Sequence, residues 1–327
     1  MSGSPSSPFD NIMPWKDMRR ITDSSAGELV EIPKFYYKWT KDGSKLKIQI
    51  SMTQHEGFLT SPAHADRGDG VGERDYIYVG RYHCADDYKS KTGYMPKTSI
   101  SISTAYTGIH NLGSNIWELD FATLATIRML CLVEYASWDL MPKIGYGYGG
   151  SSIINTGYTD NMSYHTGTTQ TNRSTTGQGV QYRYIEGLWD NCNYYVNGVS
   201  TSYNNVYLCN NPSLQNSTSN YTYSRLSVPN TGTAHYTITS CNVSSVTSYE
   251  YAIIPSSTNG TSMNYMCAEI VEPGNKSSSA LVVGTGIYGG DRRQNIFSWD
   301  TWMSREGDSR NYISCRLMVL PPSRLSA

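Results

Sequence analysis

The sequence from Leu281 to Pro321 reads LVVGTGIYGGDRRQNIFSWDTWMSREGDSRNYISCRLMVLP. Two apolar runs, LVVGTGIY and YISCRLMVLP, enclose a polar segment of roughly twenty residues, far longer than the usual connection of about 4–6 residues. In the second run, Ile313, Cys315, Leu317 and Val319 alternate with the residues between them, which is the two-residue period of a strand. This pattern predicts two strands that hold a long loop, and long loops held in this way usually have a function.

The enclosed loop carries more large aromatic and basic side chains than it can bury, among them Arg292, Arg293, Trp299 and Trp302. Aromatic rings stack on sugar faces and guanidinium groups form paired hydrogen bonds with carboxylates, so these residue types suit a glycan. The alternative is that the tryptophans pack the loop against the rest of the domain. We favour a scaffold that presents this loop and its neighbours to a partner.

Length, charge and cysteine content narrow the class of protein. A chain of 327 residues can form two domains or one large domain with a substantial core. The net charge of -1 gives no broad basic field, so no nucleic-acid partner is expected. The sequence shows neither an 18-residue apolar run nor a signal-peptide pattern, which predicts synthesis in the cytoplasm and no membrane insertion. The 7 scattered cysteines are expected to be buried free thiols.

Several elements can be predicted from local pattern. The Asp-Gly between LVEIPKFYYKW and KLKIQISMT predicts a hairpin within residues 28–53, and DYIYVGRYH predicts a further strand. A buried helix is expected over Asp120–Ala136 with Asp120 as its N-cap, and a weaker helical pattern covers part of Ser99–His110. The nearly uncharged residues 145–265 predict short strands joined by long polar loops.

Tyrosine is unusually abundant, with 27 residues against 5 phenylalanines. Tyrosine combined with Ser, Gly and Asn is typical of adaptable binding surfaces. A β-rich protein with polar turns would also favour tyrosine, and the composition does not separate these two interpretations.

No arrangement of residues typical of an enzyme is present. His83 and Cys84 are adjacent, but neighbours on a strand point to opposite faces and do not form a base and nucleophile pair. The glycines of GYGYGG (145–150) follow a helix and fit a turn better than a nucleotide site. The acidic loop at 66–75 lacks EF-hand spacing, and its Arg-Gly-Asp tripeptide at 67–69 is interpreted as chance. We therefore expect no catalysis, no cofactor and no metal site.

The segment YRYIEGLWDNCNYYVNGV (182–199) resembles the signature of the formylglycine-generating enzyme family, a branch of the C-type lectin fold. Gly187, Trp189, Asn191 and Gly198 carry the match, and Gly289-Gly290 with SCRLMV resembles the end of that family. The order of EIPKFYYK, DYIYVGRY, LATIRMLCLVEYA, KIGYG and GLWDN is similar to C-type-lectin-fold proteins of tailed phages and prophages of gut bacteria. The oxidases of the family use a cysteine pair near the C-terminus, whereas this chain offers only Cys315 there.

This resemblance implies an α+β, C-type-lectin-like fold with one or two helices, small antiparallel sheets and long irregular loops. It implies a linker or attachment segment at 1–27 and a lectin-like domain at 28–327, with a loop and strand insertion at about 145–265. Relatives of this kind include tail adhesins and variable proteins diversified by retroelements, in which the loop before the last strand forms the ligand surface. The corresponding positions, with the neighbouring tyrosine, are Tyr288, Asp291, Arg292, Arg293, Asn295, Phe297, Trp299, Asp300, Trp302 and Arg305.

The implied function is that of a phage tail receptor-binding protein, located in the virion, that recognises a bacterial surface glycan or protein. Other tail proteins are expected to bind its N-terminal segment, and multivalent binding favours a homo-oligomer such as a trimer. One alternative is a structural virion protein whose lectin-like domain contacts other particle proteins. A formylglycine-generating type of oxidase is the third, least favoured interpretation.

Overall fold

The protein has an α+β architecture in which a few helices pack against several mainly antiparallel sheets. The computed structural model describes residues 6–42, 45–162, 179–229, 235–258, 269–271, 279–283, 295–301 and 308–325. The helices of this part of the chain are α1 (Ile102–His110), α2 (Phe121–Tyr135) and α3 (Met141–Ile144). The α+β class predicted from sequence is therefore confirmed, while the lectin-like topology stays a prediction.

The strands of the described residues follow in chain order. In the first half they are β1 (Arg19–Asp23), β2 (Gly27–Pro33), β3 (Tyr36–Asp42), β4 (Lys45–Ser51), β5 (Leu59–Thr60), β6 (Tyr76–Gly80), β7 (Ile116–Glu118), β8 (Gln181–Tyr182) and β9 (Ile185–Glu186). In the second half they are β10 (Asn193–Ser202), β11 (Asn205–Leu208), β12 (Thr222–Ser227), β13 (His235–Val243), β14 (Ile253–Thr258), β15 (Glu269–Val271), β16 (Ser279–Val283), β17 (Trp299–Asp300), β18 (Ile313–Ser314) and β19 (Leu317–Val319).

Both predicted helices are confirmed, and both begin at a capping side chain. Asp120 Oδ1 accepts a hydrogen bond from the Thr123 amide at 2.9 Å at the start of α2, and the Ser101 hydroxyl accepts from the Thr104 amide at 3.2 Å at the start of α1. Side chains on every side of α2 are buried, as its encircling apolar pattern predicts. Its position inside the molecule allows sheets to pack around it.

Two smaller sheets take all their strands but one from the first 118 residues of the chain. The first has the order β1-β2-β6-β19-β7, and β6 confirms the strand predicted in DYIYVGRYH. The second has the order β4-β3-β5, and the antiparallel pairing of Tyr36–Asp42 with Lys45–Ser51 confirms the predicted hairpin. Its turn residues, 43 and 44, lie outside the described residues.

The largest sheet has the order β12-β11-β10-β16-β17-β15-β13-β14, with β18 pairing β10 in addition. Strand β10 is buried along nearly its whole length and lies between β11 and β16. It belongs to the 145–265 region, so this region supplies a central strand of the sheet as well as the predicted short strands and polar loops.

The second apolar run at the C-terminus was predicted as one strand, and the structure divides it into two. The second apolar run splits into β18 and β19, which join different sheets, and neither pairs with β16. The break falls at Cys315 and Arg316, where the buried guanidinium of Arg316 donates hydrogen bonds to the carbonyls of Gly80 at 2.7 Å and Arg81 at 3.0 Å. These hydrogen bonds satisfy the buried cation at the point where the chain leaves one sheet for the other. The side chains of residues 313–320 are buried on both faces of the run.

The N-terminal boundary of the folded domain also differs from the prediction. Residues 19–23 pair with β2 in register, and Trp15, Met18 and Ile21 are buried. The folded part of the chain therefore begins well before residue 28, because the apolar side chains of this mixed-composition segment bury against the core. A linker ending at residue 27 was the wrong boundary.

One apolar core joins distant parts of the chain, from Trp15 through α2 and β10 to Leu320. Within the described ranges, no helix is both long and apolar enough to cross a bilayer. The cysteines of these ranges are free thiols, as expected, and Cys241 is the one that is only half-buried. Cys267 lies outside them.

Candidate functional site

The predicted ligand-binding residues fall into two groups. Asn295, Phe297 and Trp299 are buried, with Trp299 only 1% exposed, and Asp300 is half-buried. The remaining six lie outside the described residues: Tyr288, Asp291, Arg292, Arg293, Trp302 and Arg305. The described part of the loop thus belongs to the core, and its three buried side chains do not form a solvent-facing surface.

Aromatic contacts and hydrogen bonds hold this buried part in place. The ring of Trp299 packs edge-on against Phe121 of α2, with ring centres 5.6 Å apart. Phe297 packs edge-on against Trp138 at 5.0 Å, and Asn295 Nδ2 donates to the Trp138 carbonyl at 2.9 Å. These contacts favour the alternative interpretation of Trp299, in which it packs the loop against the domain.

Trp138 also lines a groove, which we call the tryptophan groove. It has a volume of about 760 Å³ and lies between the β3–β4 hairpin and strands β12–β14, with the end of α2 beneath it. Most of its lining is apolar and half-buried. The apolar side chains are Trp39, Leu46, Ile48, Leu132, Val133, Ala136, Trp138, Leu226, Cys241, Val243 and Ile253.

Polar side chains lie around the same groove. Thr239, Ser240 and Asn242 come from β13, Ser137 follows α2, and Lys45 begins β4. Ser240 shares short hydrogen bonds with Ser256 and Ser257, at 2.8 Å and 2.5 Å, and this arrangement orients the hydroxyls on that wall. Lys45 is the one formally charged side chain among the described lining residues.

Each of the two tryptophans that line the groove also packs against a neighbouring aromatic ring. Trp138 is positioned by Phe297 and Asn295, as described above, and Trp39 packs edge-on against Tyr37 with ring centres 6.0 Å apart. Both rings are half-buried and therefore keep part of their surface toward the groove. The loop that was predicted to bind a ligand thus supports, through its described residues, a tryptophan of the groove.

The residues of the formylglycine-type signature have a structural role. Trp189 Nε1 donates to the Gly145 carbonyl at 3.1 Å, and the Asp190 carboxylate accepts from the amides of Tyr148 at 3.0 Å and Val180 at 2.8 Å. A side chain at Gly147, where φ is +78°, would collide with Asp190. The glycine-rich segment is therefore irregular backbone that follows α3 and is held by Trp189 and Asp190.

The other clusters that the sequence suggested are internal as well. The ring of His83 packs against Tyr194, whereas Cys84 joins the separate cluster that contains Cys315, so the two side chains point to different sides. Within the Arg-Gly-Asp tripeptide, Arg67 is buried and forms an ion pair with Asp120, whereas Gly68 is exposed and Asp69 is half-buried. No group of metal-ligating side chains assembles among the described residues.

No family model matches the chain, and no curated protein matches it. The structure is therefore the main basis for choosing a site. Sequence reasoning missed the tryptophan groove because its walls come from residues 39–48, 132–138 and 226–253, which no local pattern connects. Trp39 stands in the first run of the predicted hairpin, but a single tryptophan on a strand does not identify a binding site.

Proposed function

We propose that this protein is a phage tail receptor-binding protein that binds a bacterial surface glycan in the tryptophan groove. The observation that carries the proposal is that two half-buried tryptophans, Trp39 and Trp138, line one groove together with hydroxyl, amide and ammonium groups. Aromatic faces contact the C–H faces of sugars while neighbouring polar groups bind their hydroxyls. A volume of about 760 Å³ lies within the range of small-molecule sites, about 300–1,000 Å³.

The biological setting is proposed from the sequence resemblance to C-type-lectin-fold proteins of tailed phages. In this setting the protein is located in the virion, contacts other tail proteins through its N-terminal segment, and forms a homo-oligomer, with a trimer favoured. Several weak sugar sites on one particle would then bind together with increased avidity. The C-terminal positions outside the described residues stay candidate contacts for the same receptor.

Binding of the purified protein to an array of bacterial surface glycans tests the proposal. We expect saturable binding that Trp138→Ala reduces at least about fivefold, because an aromatic platform in a binding site typically contributes more than about 1 kcal/mol. Tyr203→Ala is the matched control, since Tyr203 is 61% exposed and does not line the groove. Unchanged thermal unfolding of both variants would show that binding, rather than folding, was altered.

Absence of binding to every glycan and to host surface extracts would overturn the proposal. A structural virion protein is the second candidate, and one observation favours it: β4 is an edge of its three-stranded sheet and also lines the groove. An extended segment of another particle protein could pair with such an edge. Capture of a tail protein by the full chain, lost on Trp138→Ala, would support that candidate.

A formylglycine-generating type of oxidase has the least support. Cys315 is buried beside Cys84, and the hydrogen bond between the two thiols, together with burial, raises the pKa of Cys315 well above its usual value. A protonated, solvent-inaccessible thiol is a poor nucleophile and a poor metal ligand. Copper-dependent oxidation of a cysteine peptide by the purified protein would revive this candidate.

A further inference from the structure

The lining of the tryptophan groove is mostly apolar, and this property narrows the class of sugar that fits it. Besides the two tryptophans, the groove is lined by aliphatic side chains from separate elements, among them Ile48 of β4, Val133 of α2, Leu226 of β12 and Val243 of β13. These four side chains are half-buried, so each keeps an apolar surface that a ligand can cover. The groove therefore offers apolar contact on several sides and not only at its aromatic rings.

An unsubstituted hexose is a poor match for such walls. Aromatic rings contact the C–H face of a sugar, but the edge of a hexose carries hydroxyl groups. A hydroxyl that is buried against aliphatic side chains loses its hydrogen bonds to water and gains none in return, which costs free energy. A methyl group at the same place gains free energy from its burial. The aliphatic walls thus favour a sugar with an apolar substituent on its ring.

The neutral polar side chains of β13 suit a substituent that also contains an amide. Asn242 is exposed and lines the groove, and Cys241 and Val243, which flank it in the strand, line the groove as well. A side-chain carboxamide offers both hydrogen-bond donors and an acceptor. An acetamido group needs one of each, for its carbonyl oxygen and its N–H, and it carries a methyl group beside them. The strand therefore matches both halves of an acetamido group.

We infer that the tryptophan groove selects sugars that carry an acetamido group. This inference rests on the proposed glycan-binding function and names its ligand class as neutral N-acetylated hexosamines. The sugar ring contacts Trp138, the carboxamide of Asn242 forms hydrogen bonds with the acetamido N–H and carbonyl oxygen, and the acetamido methyl packs against the aliphatic walls.

Two tetramers with the same linkage, one of N-acetylglucosamine and one of glucose, provide the experiment. They differ in whether each ring carries an acetamido group or a hydroxyl at C2. We expect the N-acetylated tetramer to bind at least about tenfold more tightly in a calorimetric titration, because a small apolar group in a hydrophobic pocket typically gives discrimination of this size. A tetramer of a 6-deoxyhexose, which has methyl groups but no amide, should bind more weakly than the N-acetylated one.

The variant Asn242→Ala tests the proposed amide contact. It should weaken binding of the N-acetylated tetramer about fivefold and leave binding of the glucose tetramer nearly unchanged, because it removes the hydrogen bonds to the acetamido group. Asn205→Ala is the matched control, since Asn205 is also exposed on a strand but does not line the groove. Its loss should leave both affinities unchanged.

Equal binding of the N-acetylated tetramer and either of the other two would overturn the inference, as would equal effects of Asn242→Ala and Asn205→Ala. In these cases, saccharide binding that Trp138→Ala weakens would leave the glycan-binding proposal intact. Absence of binding to every saccharide tested would overturn both.

Discussion

At the scale of single residues, the ion pair of Arg67 and Asp120 shows how one buried contact connects separate parts of the chain. Asp120 caps α2 with one carboxylate oxygen, and with the other it accepts hydrogen bonds from Arg67 and, at 2.9 Å, from Gln215 Nε2. Arg67 Nε also donates to the Asn210 carbonyl at 2.8 Å. The acidic loop, α2 and the loop after β11 therefore meet at this carboxylate.

Substitution of Arg67 by alanine should destabilise the protein by about 3–5 kcal/mol, because it leaves a buried carboxylate without its cation. Chemical denaturation measures the loss as a lower midpoint. Arg20→Ala is the control, since Arg20 is exposed and its loss should change the free energy of unfolding by less than about 1 kcal/mol. Similar effects of the two substitutions would contradict a structural role of the pair.

At the scale of elements, Asn191 attaches the segment after the glycine-rich residues 145–150 to the residues just before strand β10. Its side-chain amide makes two hydrogen bonds with the backbone of Ile154, accepting from the amide and donating to the carbonyl, each at 2.9 Å. Asn191 itself has a φ of +65°, a left-handed conformation that asparagine tolerates better than most residues. The two properties make separate contributions to stability.

Replacement of Asn191 by alanine and by glycine separates these contributions. Both variants lose the two buried hydrogen bonds and should be destabilised by about 2–3 kcal/mol, with alanine carrying an additional cost for its positive φ. Faster hydrogen exchange at the Ile154 amide in both variants would identify the lost contact. Full stability of Asn191→Gly would show instead that only the backbone conformation matters.

At the scale of the whole molecule, buried ionisable groups make stability depend on pH in two opposing ways. His64 lies between the Ser61 hydroxyl at 2.7 Å and the Ile32 carbonyl at 2.9 Å, and burial lowers its pKa to about 4. Burial raises the pKa of Glu186 to about 7, against hydrogen bonds from Thr159 and Gly157 that lower it. His64 thus favours its neutral form, and Glu186 favours its protonated form.

The contribution of His64 to stability is present above pH 6.5 and is lost as pH falls from about 6.5 to 4. The contribution of Glu186 is present below pH 4.5 and is lost as pH rises from about 4.5 to 7. Each is worth at most about 3 kcal/mol, so the two largely cancel between pH 4.5 and 6.5. In His64→Gln only the Glu186 contribution remains, so denaturation midpoints across this range should fall as pH rises. In Glu186→Gln only the His64 contribution remains, so the midpoints should rise with pH. Identical pH profiles in both variants would contradict this account.

Local patterns in the sequence determined several elements of this protein. The cap at Asp120, the encircling apolar pattern of α2 and the alternation in β4 act over a few residues, so these elements could be predicted without knowledge of the fold. The α+β class was instead implied by the family resemblance. The sequence also argued against a nucleotide site at the glycine-rich segment 145–150.

Only the tertiary structure decided which surfaces meet. Asn295, Phe297 and Trp299 are buried against α2 and Trp138. The last apolar run is divided between two sheets at Arg316. Three segments that are distant in the chain meet around the tryptophan groove. Burial and long-range pairing depend on contacts between residues far apart in the chain, and no local periodicity records those contacts. The sequence therefore determined the elements, whereas the tertiary packing determined that Trp39 and Trp138 line one groove and that Trp299 is buried.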